Sequence, residues 1–149
     1  MDDPRPELQS ALKDAIKNKN TRRHDVLRLL QSAIKQEEVD SRKELTGDDI
    51  TAILQREAKR RRESITDYES GGREDLVQQE REELEIIEEF LPRQLSEAEI
   101  AVIVDEVIAE TGVTSSKEMG KVMGQVMARV KGLADGKQVN QVVRDKLNA

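Results

Sequence analysis

Lys117-Glu118-Met119-Gly120-Lys121-Val122-Met123-Gly124-Gln125-Val126-Met127, continued by Lys131-Gly132-Leu133-Ala134-Asp135-Gly136-Lys137-Gln138-Val139-Asn140, is the stretch whose reading decides the fold. Met119, Val122, Met123, Val126 and Val130 recur at helical spacing, which predicts an amphipathic helix. Gly120 and Gly124 interrupt that helix, each at a cost of about 1 kcal/mol relative to alanine. With Ala128 they are spaced four apart, so they line one side-chain-poor stripe against which another helix, or a nucleic-acid backbone, could come close. Close helix packing is the favoured reading of that stripe. Gly132 stands where a C-cap glycine belongs, and Asp135 is spaced to cap a further helix with Gln138 reaching back as its third residue. Lys131, Lys137 and the first amides of that helix would then border one short turn. A helix N-terminus beside lysines suits a phosphate, and an ordinary capped turn with solvated lysines accounts for the pattern equally well.

Outward from this stretch the chain reads as helix throughout. Leu8, Leu12, Ala15 and Ile16 mark a first helix over about Pro6 to Lys19, and Val26, Leu27, Leu30, Ala33 and Ile34 a second from about Arg22 toward Lys43. Thr46 with Asp49 signals the start of a third, carrying Ile50, Leu54, Ala58, Ile65 and Tyr68 on one face together with Arg61. Gly71-Gly72 breaks it, and a fourth follows with Val77, Leu84, Ile87 and Leu91, so the two are expected to fold back as an antiparallel hairpin. By height along the helices, Arg61 should pair across the seam with Glu80, or with Glu83 one turn on. Glu57 is also spaced to pair with Arg61 along the third helix.

Pro92 ends this region, and Ser96 with Glu99 opens a capping box for a fifth helix built on Ile100, Ile103, Val104, Val107 and Ile108. Ser115 or Ser116 caps the sixth, and Val139, Val142, Val143 and Leu147 give the seventh its apolar side. The expected architecture is all-α, with an N-terminal antiparallel helical domain over 1–91, a linker at 92–95 and a three-helix tail module over 96–149.

Composition narrows the function. Aromatics are 1% of the chain, Tyr68 and Phe90 alone, while charged residues are 38%, which suits slender bundles with small cores. There is no cysteine and a single histidine, so thiolate and histidine-rich metal sites and a cysteine nucleophile are excluded. His24 lacks the partners a general base needs and reads as a surface residue. No nucleotide-binding glycine loop, no serine-histidine-acid set and no metal-ligand spacing is present, so catalysis by this chain alone is not expected and no cofactor is called for. Nothing approaches the length of a membrane span, and the acidic start is unlike a signal peptide, which leads to the expectation of a soluble cytoplasmic protein.

The net charge of −6 is unevenly spread. Residues 74–110 carry 13 acidic and 2 basic side chains, whereas residues 112–149 carry 7 basic and 3 acidic. A locally positive end on an acidic body can serve as a nucleic-acid footprint while the body repels wrong contacts. Lys59-Arg60-Arg61-Arg62 and the run of glutamates from Glu80 to Glu89 read instead as mixed-charge and solvated helix faces.

The sequence resembles the YqeY-like (GatB/YqeY) family. The likeness is carried by Met119-Gly120-Lys121-Val122-Met123-Gly124, Lys131-Gly132, Ala134-Asp135-Gly136-Lys137 and Val139-Asn140. Upstream it runs through Lys59, Arg61-Arg62-Glu63-Ser64, Gly72-Arg73-Glu74-Asp75-Leu76 and Phe90-Leu91-Pro92-Arg93-Gln94-Leu95-Ser96. More loosely, the tail is similar to that of the B subunit of the tRNA-dependent Asp/Glu amidotransferase, a carbon-nitrogen ligase with glutamine as amido-N-donor. The resemblance implies a helical body and a tail associated with holding tRNA. This chain lacks the large ATP-using domain that carries that subunit's chemistry, so the ligase activity does not transfer with the tail. The expectation is a non-catalytic tRNA-binding accessory with Lys117, Lys121, Lys131, Gly132, Lys137 and Asn140 as RNA contacts, and with Gly120, Gly124, Asp135, Arg61 and Glu80 in structural roles. The alternatives are an adaptor that docks a helical protein, or an accessory subunit lending tRNA affinity to a separate amidotransferase.

Overall fold

The computed structural model describes residues 2–148. Among them the chain forms seven α-helices and no strand: α1 (Arg5–Lys17), α2 (Thr21–Ser41), α3 (Gly47–Ser70), α4 (Glu74–Glu88), α5 (Glu97–Thr111), α6 (Met119–Val130) and α7 (Gly136–Asn148), with a 3₁₀ turn over Ser116–Glu118. The fold is all-α. The helices gather into two compact units, Met1–Pro92 and Arg93–Ala149.

In the first unit, Leu8, Leu12, Leu27, Leu30, Ile50, Leu54, Ala58 and Ile87 form one buried cluster drawn from all four helices. Several helix ends follow from local chemistry. Asn20 accepts from the Arg23 amide at 3.2 Å and starts α2. Thr46 and Asp49 make a reciprocal box, with Thr46 N–H donating to Asp49 at 2.9 Å and Asp49 N–H to the Thr46 hydroxyl at 3.2 Å. At the far end of α3, Gly72 takes a φ of +70°, the left-handed conformation glycine adopts most easily, and Arg73 N–H closes back on the Tyr68 carbonyl at 2.9 Å.

The α3–α4 hairpin is antiparallel, with Glu69 meeting Arg81 near the turn at 2.8 Å and Arg62 meeting Glu88 far from it at 3.7 Å. Of the partners expected of it, Arg61 takes Glu57 on its own helix and not Glu80 or Glu83 across the seam. It is buried, and its Nη1 binds Glu57 Oε2 at 2.7 Å, one turn back along α3, while neither Glu80 nor Glu83 forms an ion pair with it. The reason is the lean of helical side chains toward the N-terminus of their own helix. On α3 that direction is away from the turn and on α4 it is toward the turn, so two residues level at the backbone diverge at their tips. Arg61 therefore reaches down onto Glu57, in the favourable order of acid before base. Glu80 stays half-buried, and burial, then the neighbouring Glu83 charge, push its carboxyl above the ordinary range against the opposing pull of Arg61.

The second unit is a three-helix arrangement in which α5, α6 and α7 pack pairwise. Its core is dominated by valine: Ile100, Val104, Val107, Val122, Val126, Val130, Val139 and Val143 are fully buried. Ser96 and Glu99 close the capping box of α5 at 3.2 Å in both directions. Arg93 grips the same glutamate at 2.7 and 2.9 Å, and these bonds, with those from Ser96, hold the Glu99 carboxyl down at about 2. Gln94 and Leu95, in the stretch read as linker, are bound into this unit: Gln94 Nε2 donates to the Gly132 carbonyl at 3.1 Å and Leu95 N–H to the Leu133 carbonyl at 2.7 Å. Among the described residues no helix is long and apolar enough to cross a membrane.

Candidate functional site

Ser115 caps the 3₁₀ turn, its hydroxyl accepting from the Lys117 amide at 3.1 Å, and α6 follows directly from Met119. Val122, Val126 and Val130 bury one side of α6 completely. The opposite side, Gly120, Lys121, Gly124, Gln125 and Ala128, is exposed. A methyl group added at Gly120 or Gly124 would meet no atom within 4 Å, so the close packing expected of the small-residue stripe is not made by this chain. Helix phase explains this: the stripe falls opposite the valines that the core requires.

Beyond Val130, Lys131 leaves the helix and Gly132 takes a φ of +78°, as its C-cap position predicts. Asp135 then precedes α7, and its Oδ1 accepts from the Lys137 amide at 3.4 Å. The reciprocal bond from Gln138, which the spacing suggested, is not formed, so Asp135 caps alone. The start of α7 abuts α6, because a methyl on Gly136 would lie 3.7 Å from the Met127 Cε. This approach gives the face its geometry. Gly120 and Gly124 lie seven and three residues before Met127 and so fall on its side of α6. On α7, Asn140 lies four beyond Gly136 and shares its side, and Lys137 and Arg144 flank Asn140 at helical spacing. Lys121 borders the stripe on its outer edge, and the turn bearing Lys117 packs against both α6 and α7.

Charge is distributed unequally within this unit. Arg129 reaches both Glu106 and Glu110 of α5, and Lys146 binds Asp105 at 3.2 Å, so the acidic side of α5 is occupied by these two cations. Lys117, Lys121 and Lys137 are exposed and form no ion pair among the described residues. Arg144, which sequence reasoning did not single out, is exposed as well. Its Nη2 donates to Asn140 Oδ1 at 3.2 Å, and no carboxylate among the described residues pairs with it. Its signal was its place four residues after Asn140, on the same face. Asn140, half-buried and holding Arg144, serves a local structural bond.

Among the described residues no group of three His, Cys, Asp or Glu side chains is arranged to hold a metal ion. His24, at 3.0 Å from Asp25, lies half-buried on α2 in the first unit. What the candidate face offers is exposed positive charge and uncovered helix backbone.

The architecture defines a class: all-helical proteins with a four-helix unit followed by a three-helix unit. The model of the YqeY-like protein family matches residues 5–147, and the chain belongs to that family. It is 28% identical over 148 residues to altered inheritance of mitochondria protein 41, mitochondrial, of Pyrenophora tritici-repentis, covering 97% of this chain and 81% of that one. The protein of the same name from Lachancea thermotolerans is 33% identical over 106 residues, 69% of this chain and 57% of its own. A glutamyl-tRNA(Gln) amidotransferase subunit from Thermococcus sibiricus is 39% identical over 72 residues, 46% of this chain but only 11% of that protein. The cytoplasmic expectation is corrected by these relatives, since the protein-41 matches are all named as mitochondrial. Lack of a membrane span and of a signal-like start carries no information about compartment.

Proposed function

We propose that the protein is a non-catalytic RNA-binding accessory that handles tRNA through the α6–α7 face of its second unit. The observation that carries this reading is the set of exposed cations, Lys117, Lys121, Lys137 and Arg144, left without carboxylate partners among the described residues while Arg129 and Lys146 are occupied by α5. Lysines on flexible stems supply sequence-independent phosphate contacts, and the uncovered backbone at Gly120 and Gly124 permits close approach. The partial likeness to a subunit named for a tRNA amidotransferase supports the same direction, and a separate amidotransferase is the natural partner if the chain lends tRNA affinity to an enzyme.

Titration of labelled tRNA over a salt series tests the reading. Affinity should fall steeply as salt rises, in proportion to the phosphates neutralised. Replacing Lys117, Lys121 and Lys137 by glutamine should leave helicity intact, weaken binding and reduce the salt slope by up to about one unit for each phosphate no longer neutralised. The same change at Arg28, Lys35 and Lys59 of the first unit should matter less. No binding by the wild-type protein at low salt would remove the proposal. In that case the exposed stripe favours the second reading, an adaptor whose α6 docks a helix of another protein, with an affinity insensitive to salt.

A further inference from the structure

The cations of the first unit that form no ion pair among the described residues are gathered in one place. All of them except Lys59 lie on α1, on α2 or in the turns that end those helices: Lys13, Lys17, Lys19, Arg28, Lys35 and Arg42. α1 and α2 pack antiparallel, with Arg5 at the start of one meeting Glu38 near the end of the other at 3.1 Å. Arg5, Gln9, Lys13 and Lys17 follow one another a turn apart along α1, and Arg28, Gln31, Lys35, Glu38 and Arg42 run along one side of α2 at helical spacing. Arg5 and Gln9 face Gln31, Lys35 and Glu38 across a groove of about 210 Å³ that is otherwise lined by the aliphatic Leu8 and Ile34. Each row of cations is therefore one rim of that groove.

The rims are cationic because the carboxylates of the two helices are engaged elsewhere. Glu38 is held by Arg5, Glu37 lies 3.9 Å from Arg56 of α3, and Asp40 accepts from Gln36 at 2.9 Å. Asp25 lines a different cavity with Gln79 and Glu82 of α4. Glu7 lines another with Thr51 of α3, and Asp14 lies two turns along the same side of α1 as Glu7.

We infer that the α1–α2 face docks an acidic amphipathic helix of another protein. Packed helices lie about 8–10 Å apart, and the groove between two of them takes a third lengthwise with its apolar side inward. Carboxylates on the two flanks of such a helix would meet Lys13 and Lys17 on one rim and Arg28 and Lys35 on the other. Its apolar side chains would enter between Leu8 and Ile34, and Ile16, two turns beyond Gln9 and 57% exposed, extends the apolar line along α1. A nucleic-acid backbone would answer the charge of the rims but carries no aliphatic side chain for the groove between them. This inference uses none of the residues of the RNA-binding reading and stands apart from it.

The test uses the full chain and fluorescence anisotropy with a labelled synthetic peptide of about 14 residues, long enough as a helix to span α1. It carries leucines at i, i+3, i+4 and i+7 flanked by glutamates, and a scrambled peptide of the same composition is the control. The patterned peptide is expected to bind at least about tenfold tighter than the scrambled one, and Lys13→Glu with Lys35→Glu to cancel that advantage by setting like charges face to face. Lys59→Glu, at the unpaired cation off this face, should leave binding unchanged, as should Lys121→Gln with Lys137→Gln. Circular dichroism checks that each variant stays helical. Equal binding of the scrambled peptide would overturn the inference by showing attraction to charge alone. A patterned peptide that fails to bind, or that binds the Lys13→Glu, Lys35→Glu variant as well as the wild-type protein, would overturn it too. Loss of labelled tRNA binding in that variant, with the peptide ignored, would make this face a nucleic-acid surface instead.

Discussion

The two units dispose of their charges differently. In the first, long helices carry many cations and many carboxylates, and many are paired: Arg5 with Asp3 and Glu38, Arg22 with Glu82, Arg23 with Glu89, Arg62 with Glu88, Arg81 with Glu69. Lys13, Lys17, Lys19, Arg28, Lys35, Arg42 and Lys59 form no ion pair among the described residues. One pair, Glu57 with Arg61, is taken into the α3–α4 seam, with side-chain exposures of 6% and 10%. In the second unit a small valine core does the holding, and acidic α5 engages Arg93, Arg129 and Lys146 while Lys117, Lys121, Lys137 and Arg144 stay unpaired by the described carboxylates. What sets the units apart is that the first takes an ion pair into its interior, whereas every cation of the second lies at the surface. The basic cluster at Lys59 to Arg62 reads in the sequence as a mixed-charge helix face, and Arg60, Arg61 and Arg62 are each paired with a carboxylate of the same unit.

The comparison can be broken most sharply at the buried pair. Glu57→Ala strands Arg61 in the seam and is expected to destabilise the first unit by about 3–5 kcal/mol. Arg61→Ala, which leaves Glu57 only the exposed Arg60 at 3.4 Å, is expected to cost somewhat less. Replacing both by methionine and leucine should cost much less, because no uncompensated charge is left behind. Urea unfolding of the single and double variants decides it. Equal losses in all three would mean that the pair is solvated in solution.

The opposite sign is expected on α6. Gly120→Ala and Gly124→Ala should each stabilise the second unit by about 1 kcal/mol, since the added methyl meets nothing and helix propensity improves. If the face binds RNA, the same changes should weaken that binding, giving a protein that melts later and works less well. Thermal melts read the first effect and anisotropy the second. A destabilising result would show that the stripe is covered in solution.

The smallest effect concerns acid. Glu99 has its carboxyl held at about 2, below the ordinary 4.5, by Arg93 and Ser96. A depressed folded value stabilises the ionised, folded form, so this contribution is complete above pH 4.5 and is lost as the pH falls through about 2. The melting temperature of Glu99→Gln should therefore differ from that of the wild-type protein at neutral pH and converge with it toward pH 2. A constant difference across that range would assign the effect to the capping geometry rather than to the charge.

The helices were legible in the sequence wherever their signals are local. Thr46 with Asp49 and Ser96 with Glu99 announce helix starts three residues apart, and both boxes form. Gly132 announces a stop and takes the conformation that a glycine adopts most easily. Features set by non-local geometry were not legible. Height along a hairpin places Arg61 opposite Glu80, but the lean of the side chains, which runs in opposite directions on antiparallel helices, leaves that pair unmade. The local i,i+4 pairing with Glu57, which the spacing did disclose, forms instead. Lys19 and Arg42 adopt φ values of 55° and 54° at helix ends with no glycine to mark them. The stripe of Gly120, Gly124 and Ala128 was correctly phased as one face, but spacing alone does not say whether a face turns inward. Only the position of the valines across the helix decides that.

The two bonds from Gln94 and Leu95 to the carbonyls of Gly132 and Leu133 bear on how this chain can be divided. By helix content, a cut just before Ser96 looks clean. It would nevertheless leave the α6–α7 turn, with Lys131 at its head, unfastened on one side, since the strap that holds it is supplied by residues that precede the first helix of the unit. A severed module should therefore begin no later than Arg93, which also retains the clasp on Glu99. Modularity in this protein is set by where the hydrogen bonds of a turn are answered, upstream of where the helices would place the seam.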